Sequence, residues 1–367
     1  MHAPDRAARY PVAARPRVGM AARVATFGSV LAVLAGCGGG GGGGGTPPSQ
    51  PVPYTMVALA PASLAGISSI ANAIDTTSTA QGGVRFTNTN DARALLWNGT
   101  SASLVDLGPG EIKAIAGTVQ IGFTGSQFAN AEQAALWTGT EASRVSLHPA
   151  SGYTTSIAEG GDATTQTGSA RTLASVRHAM LWQGTAASFV DLHPAAYTLS
   201  RCYDGEGNVQ VGTGRLANGE DRALLWQGTA ASVVDLGPGV AWAIAGTAQV
   251  GQAVQTGTGR AHAMLWQGTE ASRVDLHPQG FDDSRAFGVA GNRQAGYGSL
   301  SSGAVHALVW EGTAASAIDL HSTTQSYLVD GGPPSSSFAT GIDAAGNVVG
   351  WVRSLTGTDY AVLWLRQ

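Results

Sequence analysis

Seven times along this chain a short apolar run closes on tryptophan, at Trp97, Trp137, Trp182, Trp226, Trp266, Trp310 and Trp364. Each run reads A-x-L-W or a near variant, such as A-L-V-W at Trp310. After six of these tryptophans comes x-Gly-Thr, then a segment ending in V-D-L or a relative of it. Each unit also carries an S/A-x-A run and a Q-V-G-like run, as at Gln210-Val211-Gly212, Gln249-Val250-Gly251 and Val348-Val349-Gly350. Short alternating runs punctuated by glycine predict strands. Recurrence at a nearly fixed period predicts stacked repeats that bury one another's faces. Seven units of about 45 residues, each with four short strands, predict an all-β seven-bladed β-propeller. The expected strand order, inside to outside, is S-x-A, Q-V-G, A-x-L-W, V-D-L.

The Gly-Thr pairs at 99–100, 139–140, 184–185, 228–229, 268–269 and 312–313 read as two-residue type II′ turns, whose first central residue needs positive φ. That register sets Gln183 opposite Ala186, Trp182 opposite Ala187 and His178 opposite Asp191. It also sets Arg93 against Asp106, Arg222 against Asp235, His262 against Asp275 and His306 against Asp319, with Gln133 facing Ser146. Opposite charges at such positions support each other across a strand pair, so these are read as structural cross-strand pairs.

The last unit ends soon after Trp364 and has no V-D-L strand, whereas Val57-Ala58-Leu59-Ala60-Pro61 looks like an orphan one. The reading therefore closes the ring with an N-terminal outer strand, Ala58 lying near Tyr360. This resembles the closure of WD-repeat propellers.

Composition changes the picture mainly at the N-terminus. An apolar fraction of 43% excludes a disordered chain. Arg6, Arg9, Arg15, Arg17 and Arg23 precede an apolar run, Val24 to Ala35, too short to span a bilayer. The run ends Leu34-Ala35-Gly36-Cys37, which resembles the bacterial lipoprotein box. That resemblance implies cleavage before Cys37 and lipidation of its thiol. Gly38 in place of Asp implies sorting to the outer membrane, and Met20 is an alternative start. The expected organisation is a signal peptide over 1–36, a lipidated Cys and Gly/Pro-rich tether over 37–53, and the propeller over 54–367. The tether should reach about 20 Å. With five of 20 basic and one of 24 acidic residues lying before Cys37, the mature part carries a net charge of −8. Lys113 is its only lysine, a poor basis for nucleic-acid binding. With Cys37 lipidated, Cys202 has no intrachain partner, so no disulfide is expected.

The strings HAMLW, VDLHP and Gly346-Asn347-Val348-Val349-Gly350 resemble the bacterial extracellular HAF repeats over residues 54–367. Those repeats carry H-A-F-L-W, then D-L-G, then N-x-x-G-x-V-V-G. Here Met180, Met264 and Leu308 replace the Phe, and D-L-H replaces several D-L-G. The resemblance implies an extracellular location and the repeat fold, not a chemistry.

No nucleophile elbow, phosphate loop, H-E-x-x-H or Cys/His metal spacing occurs, so no cofactor or metal is expected. Asp204-Gly205-Glu206-Gly207-Asn208 resembles a calcium loop only in part and reads as a Gly-rich turn. Apart from His2, the histidines hold two repeat positions. His178, His262 and His306 begin A-x-L-W strands, and His148, His193, His277 and His321 follow D-L or S-L. All seven should lie at the end bearing the inter-blade crossovers, the second group as crossover caps. That end is the expected binding face, with His148, His193, His277 and His321, and with Trp242 and Trp351 as stacking candidates. The seven repeat tryptophans should be inter-blade core. The expected function is a cell-surface lipoprotein, membrane-bound through its lipid, whose non-catalytic propeller recognises protein or glycan. The alternatives are a lyase or glycan hydrolase, with Arg201, Asp204, Asp282, Asp283, Arg285 and Asp330 as raw material, and a purely structural surface protein.

Overall fold

A computed structural model describes residues 54–367 apart from 62–65, 78, 87–91, 126–129, 256 and 325–331. The signal peptide, Cys37, the tether and Asp330 lie outside the described residues. Seven four-stranded antiparallel sheets follow one another in chain order. Six are continuous in sequence, over 69–109, 111–146, 153–191, 199–238, 240–275 and 283–319, and are called blades 1 to 6. Blade 7 joins Ser336–Ile342, Val348–Arg353 and Asp359–Arg366 to the N-terminal strand Tyr54–Ala58. The innermost strand of every blade packs on that of the next, and blade 7 packs on blade 1, so the fold is a closed seven-bladed β-propeller.

Within each blade the S-x-A segment is innermost and the Q-V-G and A-x-L-W strands follow outward. All seven repeat tryptophans are fully buried between blades. They fill that interface with leucines and alanines of the adjoining blade, as Trp226 does with Ala179, Leu181 and Leu192 of blade 3. Truncating one to alanine would cost about 3–5 kcal/mol.

The turn chemistry differs from expectation. Gly184 has φ +75°, which glycine supplies without strain. Thr185, however, is extended and begins a 3-10 turn, Ala186–Ser188. Leu181 pairs with Val190 and Met180 with Asp191, so Asp191 lies opposite Met180, not His178. Every such hairpin is shifted by two residues from the type II′ register, and Ser146 accordingly pairs with Ala135. The cause is a serine within the loop. Ser188 Oγ accepts the Gln183 N–H and donates to the Thr185 carbonyl, both at 2.7 Å, which holds a wider loop shut. The same bonds recur at Ser103, Ser143, Ser232, Ser272 and Ser316. The buried Gln of the Q-V-G strand completes the loop, as where Gln166 Oε1 accepts the Gly184 N–H at 2.9 Å. Because side chains alternate with period two, a shift of two keeps every residue on its expected face. The closing strand shows the same shift: Ala58 pairs with Val362 rather than lying near Tyr360.

Candidate functional site

The crossover end is built from a repeated polar unit. His178 Nδ1 lies 2.7 Å from Asp191 Oδ2, His262 Nδ1 2.8 Å from Asp275 Oδ2, and His306 Nδ1 2.7 Å from Asp319 Oδ2. Arg93 Nε lies 2.6 Å from Asp106, and Arg222 Nε 2.9 Å from Asp235. The partners meet diagonally across the shifted register. In each case the other carboxylate oxygen accepts a backbone N–H two residues on, from His193, His277, His321, Gly108 or Gly237.

That second bond brings the link histidine back over the strand. His178 stacks on His193 at 4.0 Å, His262 on His277 at 3.9 Å, and His306 on His321 at 4.2 Å. A paired His thus occurs with D-L-H and a paired Arg with D-L-G. The link histidine then bonds the first Ser of the next inner strand. His148, His193, His277 and His321 lie 2.8–3.0 Å from Ser156, Ser200, Ser284 and Ser337. His277 Nε2 donates to the Phe281 carbonyl at 3.1 Å, leaving Nδ1 to accept the Ser284 hydroxyl. Burial, and then the stacked neighbour, hold His193, His277 and His321 below the usual imidazole value, and burial does the same for His148. The arrangement fixes neutral rings that tie one blade to the next. It leaves the Nδ1 of each link histidine engaged within the fold.

The His262–Asp275 pair therefore gives a stability prediction. Asp275→Ala should cost about 1 kcal/mol or less, because the pair is exposed on one side. The double variant with His262→Ala should show positive coupling in urea unfolding. Additive losses would show that the two side chains act independently. Acidification should also loosen this rim. A histidine depressed in the folded state contributes stability above its unfolded pKa that is lost as pH falls through the folded value.

A different set of residues converges on the ring centre. Every inner strand carries a β-bulge, which leaves Asn72, Lys113, Glu159, Tyr203, Trp242, Phe287 and Thr340 unpaired at the equivalent place. Bulges re-aim a side chain. The bulge depends on the glycine of Q-V-G on the next strand. A Cβ on Gly212 would lie 2.0 Å from the Arg201 carbonyl, and one on Gly296 1.9 Å from that of Arg285.

The bulge residues form a belt around the channel. Asn72 Nδ2 donates to the Ile112 carbonyl and to Glu111. Lys113 Nζ lies 3.0 Å from Glu111 and 3.8 Å from Glu159. Tyr203 meets Trp242 at 4.3 Å between ring centroids, and Trp242 meets Phe287 at 5.5 Å. Thr340 Oγ1 donates to the Ala71 carbonyl and joins blade 7 to blade 1. Blades 1 to 3 thus contribute the polar side of the belt and blades 4 to 6 an aromatic side. Tyr203, Trp242 and Phe287 remain partly exposed. Tyr297 and Phe338 back them from below the surface.

The stacking candidates separate here. Trp242 is on the belt. Trp351 is 3% exposed and lies flat on Phe338 at 4.7 Å, so it supports the aromatic side and presents no face to a ligand. Of the catalytic raw material, Arg201 and Arg285 flank the belt on inner strands, each two residues before a bulge. Asp282 pairs with Arg260 at 3.0 Å, and Asp283 accepts the Ala261 N–H at 2.7 Å. Asp204 is engaged three ways, accepting N–H groups from Gly161, Gly205 and Ile244 in blades 3, 4 and 5. Its carboxylate and that of Glu206, which accepts the Gly246 N–H at 2.6 Å, belong to the fold and not to a cation loop. Among the described residues, no three His, Cys, Asp or Glu side chains are grouped to hold a metal.

No family model matches the chain, and no curated protein matches it in sequence. Among solved structures it is similar to the β-propeller domain of the Trilobed protease from Pyrococcus furiosus, with TM-score 0.54 and 10% identity over 82% of this chain and 96% of that one. It is also similar to an oligogalacturonate lyase in complex with manganese, with TM-score 0.51 and 10% identity over 86% of this chain and 97% of that one. Pyrococcus horikoshii acylaminoacyl peptidase matches with TM-score 0.53 and 11% identity, over 81% of this chain and 51% of that one, so the chain spans about half its length. What is shared at such identities is the propeller fold.

Proposed function

We propose that this chain is a lipid-anchored cell-envelope protein, held at the outer membrane through Cys37, whose propeller binds a protein or glycan ligand without catalysis at the mouth of its central channel. One observation carries the binding reading. The strand motifs of the scaffold repeat in all seven blades, yet the seven bulge residues around its centre differ from blade to blade. Repeated positions hold the fold together, and function on such a scaffold is grafted where the repeat breaks. The partly exposed Tyr203–Trp242–Phe287 arc offers the aromatic surface on which sugar faces and protein side chains are held. The pairing of Lys113 with Glu111 and Glu159, and the full engagement of Asp204, favour binding over acid–base chemistry. The neighbouring lyase and peptidases share the fold but lend no residue to this chain.

The lipoprotein box and the HAF-like strings support the location. Cys37→Ala should abolish incorporation of labelled fatty acid, and label retained on the variant would contradict the anchor. For binding, the soluble domain 54–367 is screened on a glycan array and by pull-down from envelope extracts. Trp242→Ala should weaken the captured ligand by a factor of ten or more with the melting temperature little changed. Undiminished capture by Trp242→Ala, with loss in His277→Ala, would move the site to the rim.

A further inference from the structure

Four guanidiniums toward the channel have no carboxylate within ion-pair distance among the described residues: Arg171, which donates to the Ser175 carbonyl at 3.2 Å, Arg177, Arg201 and Arg285. The others of this central region are matched, as Arg353 is by Asp359 at 2.7 Å. Arg285 is satisfied in part by the Tyr297 hydroxyl at 3.0 Å. Arg201 has the Tyr203 side chain in the same way, whereas Arg177 and Arg201 bring like charges together across blades 3 and 4. Arg177 begins the third strand of blade 3, and Arg201 sits on the inner strand of blade 4. Both lie toward the crossover end, because inner and third strands start there. Arg177 donates to Ser169 Oγ at 3.1 Å, but its buried Nε has no partner. Burial, and then the like charges of Arg201 and Arg171, bring its pKa down to about 10. Glu159 offsets these charges only in part, since it also faces Lys113.

Gathering like charges at a partly buried place is unfavourable unless an anion completes the site, and the planar guanidinium is the side chain suited to hold an oxyanion through paired hydrogen bonds. Tyr203, between Arg201 and the aromatic arc, makes the two regions contiguous. We propose that Arg177 and Arg201 form an anion subsite, with Ser169 as a further polar contact, that receives an oxyanion substituent of a saccharide stacked on Tyr203 and Trp242. The shared chemistry is a carboxylate or a sulfate ester on a sugar ring. This rests on the channel being the ligand seat and specifies the class of ligand it takes.

The test uses the soluble domain 54–367 with D-glucuronate, D-glucose 6-sulfate, inorganic sulfate and neutral D-glucose as probes, read by thermal shift and by titration calorimetry. Glucuronate or the sulfate ester should stabilise the domain saturably and glucose should not. Response to glucuronate alone assigns a carboxylate site, and response to the ester alone a sulfate site. Arg177→Gln and Arg201→Gln should each weaken the responding probe by ten-fold or more. In the absence of probe, Arg177→Gln should melt no lower than the parent, because its charge is only partly offset by Glu159; a lower melting temperature with unchanged affinity would make Arg177 structural and overturn the proposal. Stabilisation by inorganic sulfate alone, or by none of the anions, would overturn it equally. Trp242→Ala separates the two readings. If it abolishes capture of a neutral ligand while the anions have no effect, the channel reading stands and the anion subsite falls. If anions bind through the arginines while Trp242→Ala changes nothing, the aromatic seat falls instead.

Discussion

A chain lacking residues 54–61 should fail to hold a closed ring. The strand Tyr54–Ala58 is the outer strand of blade 7 and pairs residue for residue with 362–366. Beyond it, Leu59 is fully buried against blade 1, and its N–H donates to the Ala361 carbonyl at 2.9 Å. The segment therefore joins the first and last parts of the chain by backbone bonds and by apolar burial. Its removal leaves the Asp359–Arg366 strand with an open edge and uncovers buried Leu363 and Trp364. Loss of Leu59 alone should cost about 2–5 kcal/mol, and the whole strand more. The expected result is a fall in melting temperature of about 10 °C or more, with aggregation visible by light scattering. A deletion variant that stays monomeric and melts with the parent would mean that the ring is closed by other contacts.

The second large effect belongs to Asp204. Equivalent inner-strand positions carry alanine or glycine, as at Ala73, Ala114, Gly160, Ala243, Gly288 and Gly341. Asp204 instead holds three blades together through the backbone N–H groups of Gly161, Gly205 and Ile244. Burial outweighs these donors and pushes its pKa up to about 6. The folded protein then binds this proton more tightly than the unfolded chain. The resulting stability is fully present below the usual carboxyl pKa and is lost as pH rises through about 6. The difference corresponds to about 3 kcal/mol between pH 3.5 and 7. Asp204→Asn removes the titration but turns an amide N–H toward one of the three donors, a loss of about 1–3 kcal/mol. Urea unfolding should therefore find the variant clearly less stable near pH 4, with the gap closing by pH 7. Parallel stability curves would show that Asp204 does not change protonation in this range.

Much of the fold was legible in the chain. Tryptophan phase, strand order and the orphan V-A-L-A-P strand followed from repetition alone, because every blade must solve the same packing problem. The hairpin register was two residues off. Gly184-Thr185 matches the pattern of a tight turn, and the hydroxyl of Ser188, four residues after Gly184, widens and closes the loop instead. The rim was partly legible. His178 and Asp191 stay on one face under a shift of two, and His pairs go with D-L-H as Arg pairs go with D-L-G, a regularity present in the sequence. The channel belt was the least visible, because a bulge is a property of two strands. Its signals were a glycine inside each Q-V-G strand and the residue after each S-x-A run, which varies while its neighbours stay small. Trp242 stood out for its size; Lys113, Glu159, Tyr203 and Phe287 did not.

The central claim is that ligand sits in the channel and that the histidine rim serves the fold. Carbene footprinting of the soluble domain, with and without its captured ligand, tests this most directly. The account predicts protection of Tyr203, Trp242 and Phe287, with labelling around His148, His193, His277 and His321 unchanged; protection of those histidines with the channel residues still labelled would contradict it.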